Sequence, residues 1–361
     1  MNSALNMIPP EINVHTPVIY EKLNRASRAL AELKGISPTI PNEEILINVL
    51  GLQEAKDSSA IENIITTQDD LYRANADVNF KNLAAKEVNN YATALKKGYE
   101  LVKKHQLLTN NNIVEIQKII EPGKSGFRKI PGTVIQNSAG ETIYTPPQDA
   151  NEIVELMSNL EKYINDNSFH QIDPLIKMVI IHYQFESIHP FYDGNGRTGR
   201  IINILYLIQN GLLDIPVLYL SKYIIENKTD YYQLLQKVRT DNDWESWIVW
   251  MLKGIKETSQ HTINIIVEIK RLMMDYKHRI RNKYKFYSQD LVNNLFKHPY
   301  TKIEFLERDL RVYRKTAAMY LNVLAENGFL EKIKIHRNNY YINTPLLLLL
   351  TDKNEMDISR E

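Results

Sequence analysis

The sequence predicts a mainly α protein that carries one β-hairpin inside its helical body and a small module of three helices and a second hairpin at its C-terminal end. Three observations lead there. Apolar residues recur at intervals of three and four along most of the chain, the period of an amphipathic helix. Between Gly126 and Pro147 the pattern changes to GFRKIPGTVIQNSAGETIYTPP, where TVIQ and ETIY flank a turn-forming NSAG. After Trp244, Trp247 and Trp250 the texture becomes rich in Lys and Arg, and shorter segments follow.

Taken in order, the helical windows are 42–67, 84–104, 109–120, 151–165, 174–187, 198–209 and 230–238. An isolated two-stranded ribbon is marginally stable, so the hairpin must lean on the helices around it. KRLMMDYKHRIRNKYK, from Lys270 to Lys285, keeps a helical period and reads as a connecting helix over 261–289. SQDLVNNLF, KIEFLERDL and RKTAAMYLNVLAENGFL then give three helical segments, and EKIKIHRNNYYIN gives two alternating runs around a polar RNN turn. This module resembles a winged helix-turn-helix, with Arg311, Arg314 and Lys315 around the start of its last helix. The organisation read from the chain is a helical N-terminal region (1–105), a core (106–260), the connecting helix and the C-terminal module (290–361).

Composition narrows the function classes. The 361 residues are 43% hydrophobic and 24% charged with a net charge of +1, the balance of a globular protein with no global demand for nucleic acid or an anionic surface. Nine Lys and Arg stand against six Asp and Glu from Asp290 to Asn343, a modest local excess. There is no cysteine, which excludes thiol chemistry and fits a cytoplasmic protein. The N-terminal stretch has neither a basic start nor an apolar run, so no secretory signal is expected. Leu346 to Leu350 are far short of the roughly 20 apolar residues that span a bilayer and read as a closing core element.

The chemistry is concentrated in HPFYDGNGRTGR, His189 to Arg200. Pro190 disfavours continuation of the preceding helix, and Gly194, Gly196 and Gly199 permit unusual backbone conformations. Backbone N–H groups at Gly194, Asn195 and Gly196 can converge as an anion nest just before the helix expected from Thr198. Arg197 and Arg200 fall in the first helical turn, where guanidinium forks match phosphate oxygens. Asp193 is an oxygen ligand of the kind Mg²⁺ takes beside nucleotide phosphates, and His189 has a side chain suited to accept a proton near neutral pH. The arrangement points to a polyphosphate ligand.

This string resembles the signature of the Fic family, His-Pro-Phe-x-Asp/Glu-Gly-Asn-Gly-Arg-x-x-Arg, at every defined position, and the resemblance extends over about residues 42–253. It implies a protein adenylyltransferase that moves AMP from ATP to a Ser, Thr or Tyr hydroxyl of a target protein, or of itself, with Mg²⁺ as cofactor. Carried over, His189 is the general base, Asp193 holds Mg²⁺ and Asn195 with the glycine amides lines the anion hole. Arg197 grips the outer phosphates and Arg200 the γ-phosphate. Tyr231 and Tyr232 resemble the family's aromatic pair beside the adenine, with helix packing an equal explanation, and His182 is read as a core residue. The hairpin, Thr133 to Tyr144, looks like the flap that pairs with an extended target segment.

A second string, SSAIEN, places Ser58 and Glu62 four residues apart. It resembles the family's inhibitory motif in the N-terminal, class II arrangement, which implies that Glu62 pairs with Arg200 and excludes the γ-phosphate. The same glutamate can orient a water for removal of AMP. A rival from another class is a nucleotide-sensing, DNA-binding transcriptional regulator built on a Fic core. ATP and a hydroxyl-bearing protein are the partners this reading names; a homodimer and DNA stay open, and no membrane is involved.

Overall fold

The computed structural model describes residues 5–76, 82–136, 139–335 and 338–351, and among them are fifteen α-helices and five short strands. The order begins with α1 (Pro17–Ile36), α2 (Glu43–Ile61), α3 (Gln68–Ala76), α4 (Leu83–His105) and α5 (Asn110–Ile120). The Thr16 side chain accepts from the Ile19 N–H and Pro17 occupies the first turn, so α1 starts where local chemistry dictates; its Ile19, Leu23, Ala26, Leu30 and Leu33 are buried. Asn42 caps α2 in the same way. That helix stops at Ile61 and not at Thr67: Asn63 turns into the left-handed region at φ 62°, and the Ile64 N–H folds back onto the Ser59 carbonyl.

The flap follows as β1 (Ile135–Gln136) and β2 (Thr142–Tyr144), antiparallel with Ile135 opposite Tyr144. Asn137 and Ser138 of the expected NSAG turn lie outside the described residues. Next come α6 (Ala150–Asn165), α7 (Pro174–Ile188), α8 (Asn195–Gln209), α9 (Leu220–Glu226) and α10 (Lys228–Asp241). From Leu175 to Ile188 every residue of α7 is buried, which makes it the central helix, with α6 and α8 packed against it. In turn α4 and α5 pack on α8, and α2 lies across α4 and α9.

The last long element, α11 (Trp244–Lys283), runs unbroken for 40 residues, about 60 Å at the usual rise. It replaces the separate connecting helix expected over 261–289. No Gly or Pro interrupts the chain between Ile255 and Lys283, and one buried seam continues through Ile266, Ile269, Met273, Tyr276 and Ile280. Helix α1 lies along it, so the two ends of the chain share a spine.

Beyond it, α12 (Gln289–Lys297), α13 (Ile303–Leu310) and α14 (Arg314–Glu326) accompany a three-stranded antiparallel sheet of order β3 (Tyr300–Thr301), β5 (Asn338–Ile342), β4 (Glu331–Ile335). The short β3 adds a strand to the expected hairpin, whose Arg337 lies outside the described residues. The leucines from 346 form α15 (Thr344–Leu350), which docks Leu346 and Leu350 into the core beside α11. No helix among the described residues is long and apolar enough to cross a membrane.

One buried acid fixes α2. The carboxylate of Glu54 accepts from the Tyr91 hydroxyl of α4 (3.0 Å), the Ser221 N–H of α9 (3.2 Å) and the Ser221 hydroxyl. Burial pushes its carboxyl up to about 7, with the Ser221 and Tyr91 hydrogen bonds acting the other way. Well below the ordinary carboxyl value both folded and unfolded chains hold the proton; as pH rises, the unfolded chain ionises first and folding is disfavoured. Between about pH 5 and pH 8 this group should remove roughly 2–3 kcal/mol of stability. Urea unfolding at both pH values should show that share of the loss disappear in Glu54→Gln.

Candidate active site

The site is set by the ends of two helices. At the close of α7, His189 adopts a left-handed φ of 49°, with its N–H on the Phe185 carbonyl at 3.0 Å. The loop is then held by Asn195, whose side-chain amide spans Phe191: Oδ1 accepts from the Phe191 N–H at 2.8 Å, and Nδ2 donates to the Phe191 carbonyl at 2.8 Å. The Asn195 side chain is therefore engaged in bracing the loop. Gly194, at φ 76°, leads into α8, which begins at Asn195, three residues before Thr198. The first helical bond is Thr198 N–H to Gly194 carbonyl at 2.9 Å. The anion nest expected in a loop is thus the first turn of α8, whose leading N–H groups have no side-chain cap.

Over that turn sits Glu62. A Cβ placed on Gly196 would come 2.2 Å from Glu62 Oε1 and 2.9 Å from Arg200 Nη1, so only glycine lets the carboxylate lie this close to the helix end. Arg200, 2% exposed, donates from Nη2 to Glu62 Oε1 at 2.9 Å and to the Ser58 carbonyl at 2.9 Å, and from Nε to Ser58 Oγ at 2.7 Å. The end of α2 therefore occupies most of the guanidinium fork.

His189 lies within the same field. Burial first, then the Arg128 charge, push its imidazole down to about 4, while Glu62 acts in the opposite sense. The ring is neutral at pH 7, the form that accepts a proton. Arg128 carries no sequence signal, yet it locks flap and loop together. Its Nε donates to the His189 carbonyl at 2.8 Å and its Nη2 to the Pro147 carbonyl and, at 3.3 Å, to that of Ile188, while its own N–H reaches the Pro190 carbonyl. Tyr192 adds to this by accepting from the N–H groups of Lys129 and Ile130.

The remaining predicted residues divide. Arg197 is 3% exposed and already engaged: Nη2 meets Glu121 Oε1 at 2.6 Å, with Asp193 at 3.7 Å. Asp193 is half-exposed at the rim, 3.3 Å from Lys124 Nζ. Tyr231 is turned into the core, its hydroxyl 2.9 Å from His182 Nε2 and its ring among Trp247 and Trp250, so packing accounts for it; Tyr232 alone of the pair is exposed. His182 is fully buried and pushed down to about 3, by burial first and Arg200 second. Among the described residues no three His, Asp or Glu side chains form a metal cage. A single rim carboxylate does suit Mg²⁺, which takes one or two protein oxygens and otherwise substrate phosphates and water.

Three family models tile the chain: Fic/DOC family N-terminal over residues 20–100, Fic/DOC family over 100–207, and the protein adenylyltransferase SoFic-like C-terminal domain over 272–346. The chain belongs to the Fic family. The first Fic model contains Ser58 and Glu62, and the second contains the whole of HPFYDGNGRTGR. Among curated Fic relatives, protein adenylyltransferase fic-1 of Caenorhabditis briggsae is 28% identical over 167 residues, 45% of this chain and 30% of that protein. A probable protein adenylyltransferase of Aquifex aeolicus is 51% identical over 53 residues, 15% of this chain and 17% of that one. The matches thus span less than a third of these relatives' own length. A Fic family protein from Desulfovibrio desulfuricans G20 shares the fold at a TM-score of 0.61 and 19% identity, over 93% of this chain and 98% of that one. Residues 134–508 of Fic-1 from C. elegans superpose at 0.53 and 21% identity, over 69% and 73% of the two chains.

Proposed function

We propose that this chain is a protein adenylyltransferase, resting in an inhibited state, that moves AMP from ATP to a Ser, Thr or Tyr hydroxyl of a target protein. The observation that carries the reading is the convergence of a neutral His189, the uncapped first turn of α8 and the Arg200 guanidinium, with Glu62 lying across the last two. The target hydroxyl oxygen attacks the α-phosphorus, the bond from that phosphorus to the bridging oxygen breaks, and pyrophosphate leaves. His189 takes the hydroxyl proton. The N–H groups of Asn195 and Gly196 face the phosphate oxygens, and Arg197 and Arg200 exchange their carboxylate partners for outer phosphates. Mg²⁺ held at Asp193 would neutralise charge on the phosphates.

An extended target segment adds to the flap edge through its main chain. The C-terminal module is read as a winged helix that docks protein in preference to DNA, because Arg314 is bound by Glu304 at 2.8 Å and Glu307 at 3.4 Å, leaving less charge for phosphates. The absence of cysteine supports a cytoplasmic placement.

The test uses two labels. ATP labelled at the α-phosphate should leave label on protein, and ATP labelled at the γ-phosphate should leave none. Retention of the γ-label would replace nucleotidyl transfer with phosphoryl transfer at the same site. No label from either with the Glu62→Gly protein, shown to be folded, would defeat the enzymatic reading.

A further inference from the structure

A cavity of about 850 Å³ opens beside the flap, between the N-terminal segment, Tyr144 at the end of β2, Tyr183 on α7 and the last turn of α10. Its cation is Arg239. The guanidinium carbon lies 3.9 Å from the centroid of the Tyr144 ring and 5.9 Å from that of Tyr183. Its hydrogen bonds are long, 3.4 Å from Nη1 to Gln236 Oε1 and 3.4 Å from Nη2 to Ser187 Oγ, and the buried Nε has no partner. Among the described residues no carboxylate comes within ion-pair distance of it. Glu11 and Asp241, which line the same cavity, stay outside that range. The aromatic wall fixes the guanidinium plane, while the long hydrogen bonds and the unpartnered Nε leave donors that a carboxylate could take.

The cavity's place gives the missing half a source. The Tyr144 hydroxyl donates to the Ser187 carbonyl at 2.9 Å, two residues before His189. A strand laid along the flap advances about 3.3 Å per residue, so side chains within about three positions of the acceptor hydroxyl reach this guanidinium. We infer that Arg239 reads the target by holding an Asp or Glu carboxylate close in sequence to the hydroxyl that receives AMP. A singly charged carboxylate suits the site better than a phosphate group, since Glu11 and Asp241 would repel a dianion more strongly. This rests on the adenylyltransferase reading above.

A library of proteome-derived peptides, incubated with ATP and the Glu62→Gly enzyme, provides the test, with every AMP-bearing residue mapped by mass spectrometry, including those on the enzyme itself. Acidic residues should be enriched within three positions of the modified hydroxyl. Matched synthetic peptides with Asp or with Asn there should differ by about tenfold in KM and little in kcat, the scale of a charged hydrogen bond. Arg239→Gln should abolish that difference and Arg239→Lys should keep part of it, while affinity for a non-hydrolysable ATP analogue, a check on folding, stays the same in all three. Labelled sites without acidic enrichment, or an enrichment that survives Arg239→Gln, would overturn the role of Arg239 and leave AMP transfer standing. Absence of any label would overturn both.

Discussion

Glu62→Gly protein should incorporate AMP at least about tenfold faster than the unaltered chain, since each 1.4 kcal/mol removed from a competing ion pair is a factor of ten. On the proposed function, the Glu62 carboxylate would exclude the nucleotide in two ways that the geometry separates. It satisfies Arg200 Nη2 at 2.9 Å, so a phosphate must break a charged hydrogen bond before making its own. It also lies against the first turn of α8, close enough that Gly196 could not carry a Cβ. Glu62→Gln keeps most of the volume and removes the charge, so it should fall between the two proteins. Equal rates for the Gln and Gly variants would assign the inhibition to charge alone. Labelled-ATP incorporation at several ATP concentrations provides the measurement, and a Glu62→Gly protein no faster than its parent would remove Glu62 as a brake. Ser58 should hold Arg200 in place throughout, through its hydroxyl at 2.7 Å and its carbonyl.

How much of this was legible depended on the distance over which each signal acts. HPFYDGNGRTGR is local, and its turn, its cap and its charges are all written within twelve residues. Helix α8 begins three residues before the expected Thr198 because glycines that loosen a loop can equally begin a helix, and Gly194 does so here. The Glu62–Arg200 pair joins residues 138 apart and became readable only through resemblance to a known motif. Nothing in GFRKIPG marks the Arg128 side chain as the clamp on three carbonyls, since an arginine in a hairpin is ordinarily a solvated one. Glu54 is similar: an acid on a helix reads as surface, and only the partners from α4 and α9 make it core. Tyr231 and Tyr232 show the limit of an aromatic pair, because adjacent residues on a helix face different ways and one of the two had to pack.

Changing His189 to Ala should lower AMP transfer by at least about 10²-fold while leaving affinity for a non-hydrolysable ATP analogue unchanged, since in the proposed mechanism the ring acts on the proton and not on the phosphates. The pH profile adds a check that a merely structural histidine would fail. In the free protein, burial and Arg128 hold the imidazole near 4, so it is neutral over the physiological range and protonated only in acid. The acid limb of kcat/KM, which reports the free enzyme, should therefore lie well below the ordinary histidine value of 6.5. Glu62 favours the protonated ring, so its removal in Glu62→Gly moves that limb lower still. A bound triphosphate supplies negative charge and acts the other way, raising the imidazole in the complex. The limb of kcat should consequently sit at higher pH than the limb of kcat/KM. Rates measured from acid to neutral pH with the Glu62→Gly enzyme would reveal the two limbs; their coincidence, or an acid limb that persists in the residual activity of Glu62→Gly/His189→Ala, would take the proton transfer away from His189.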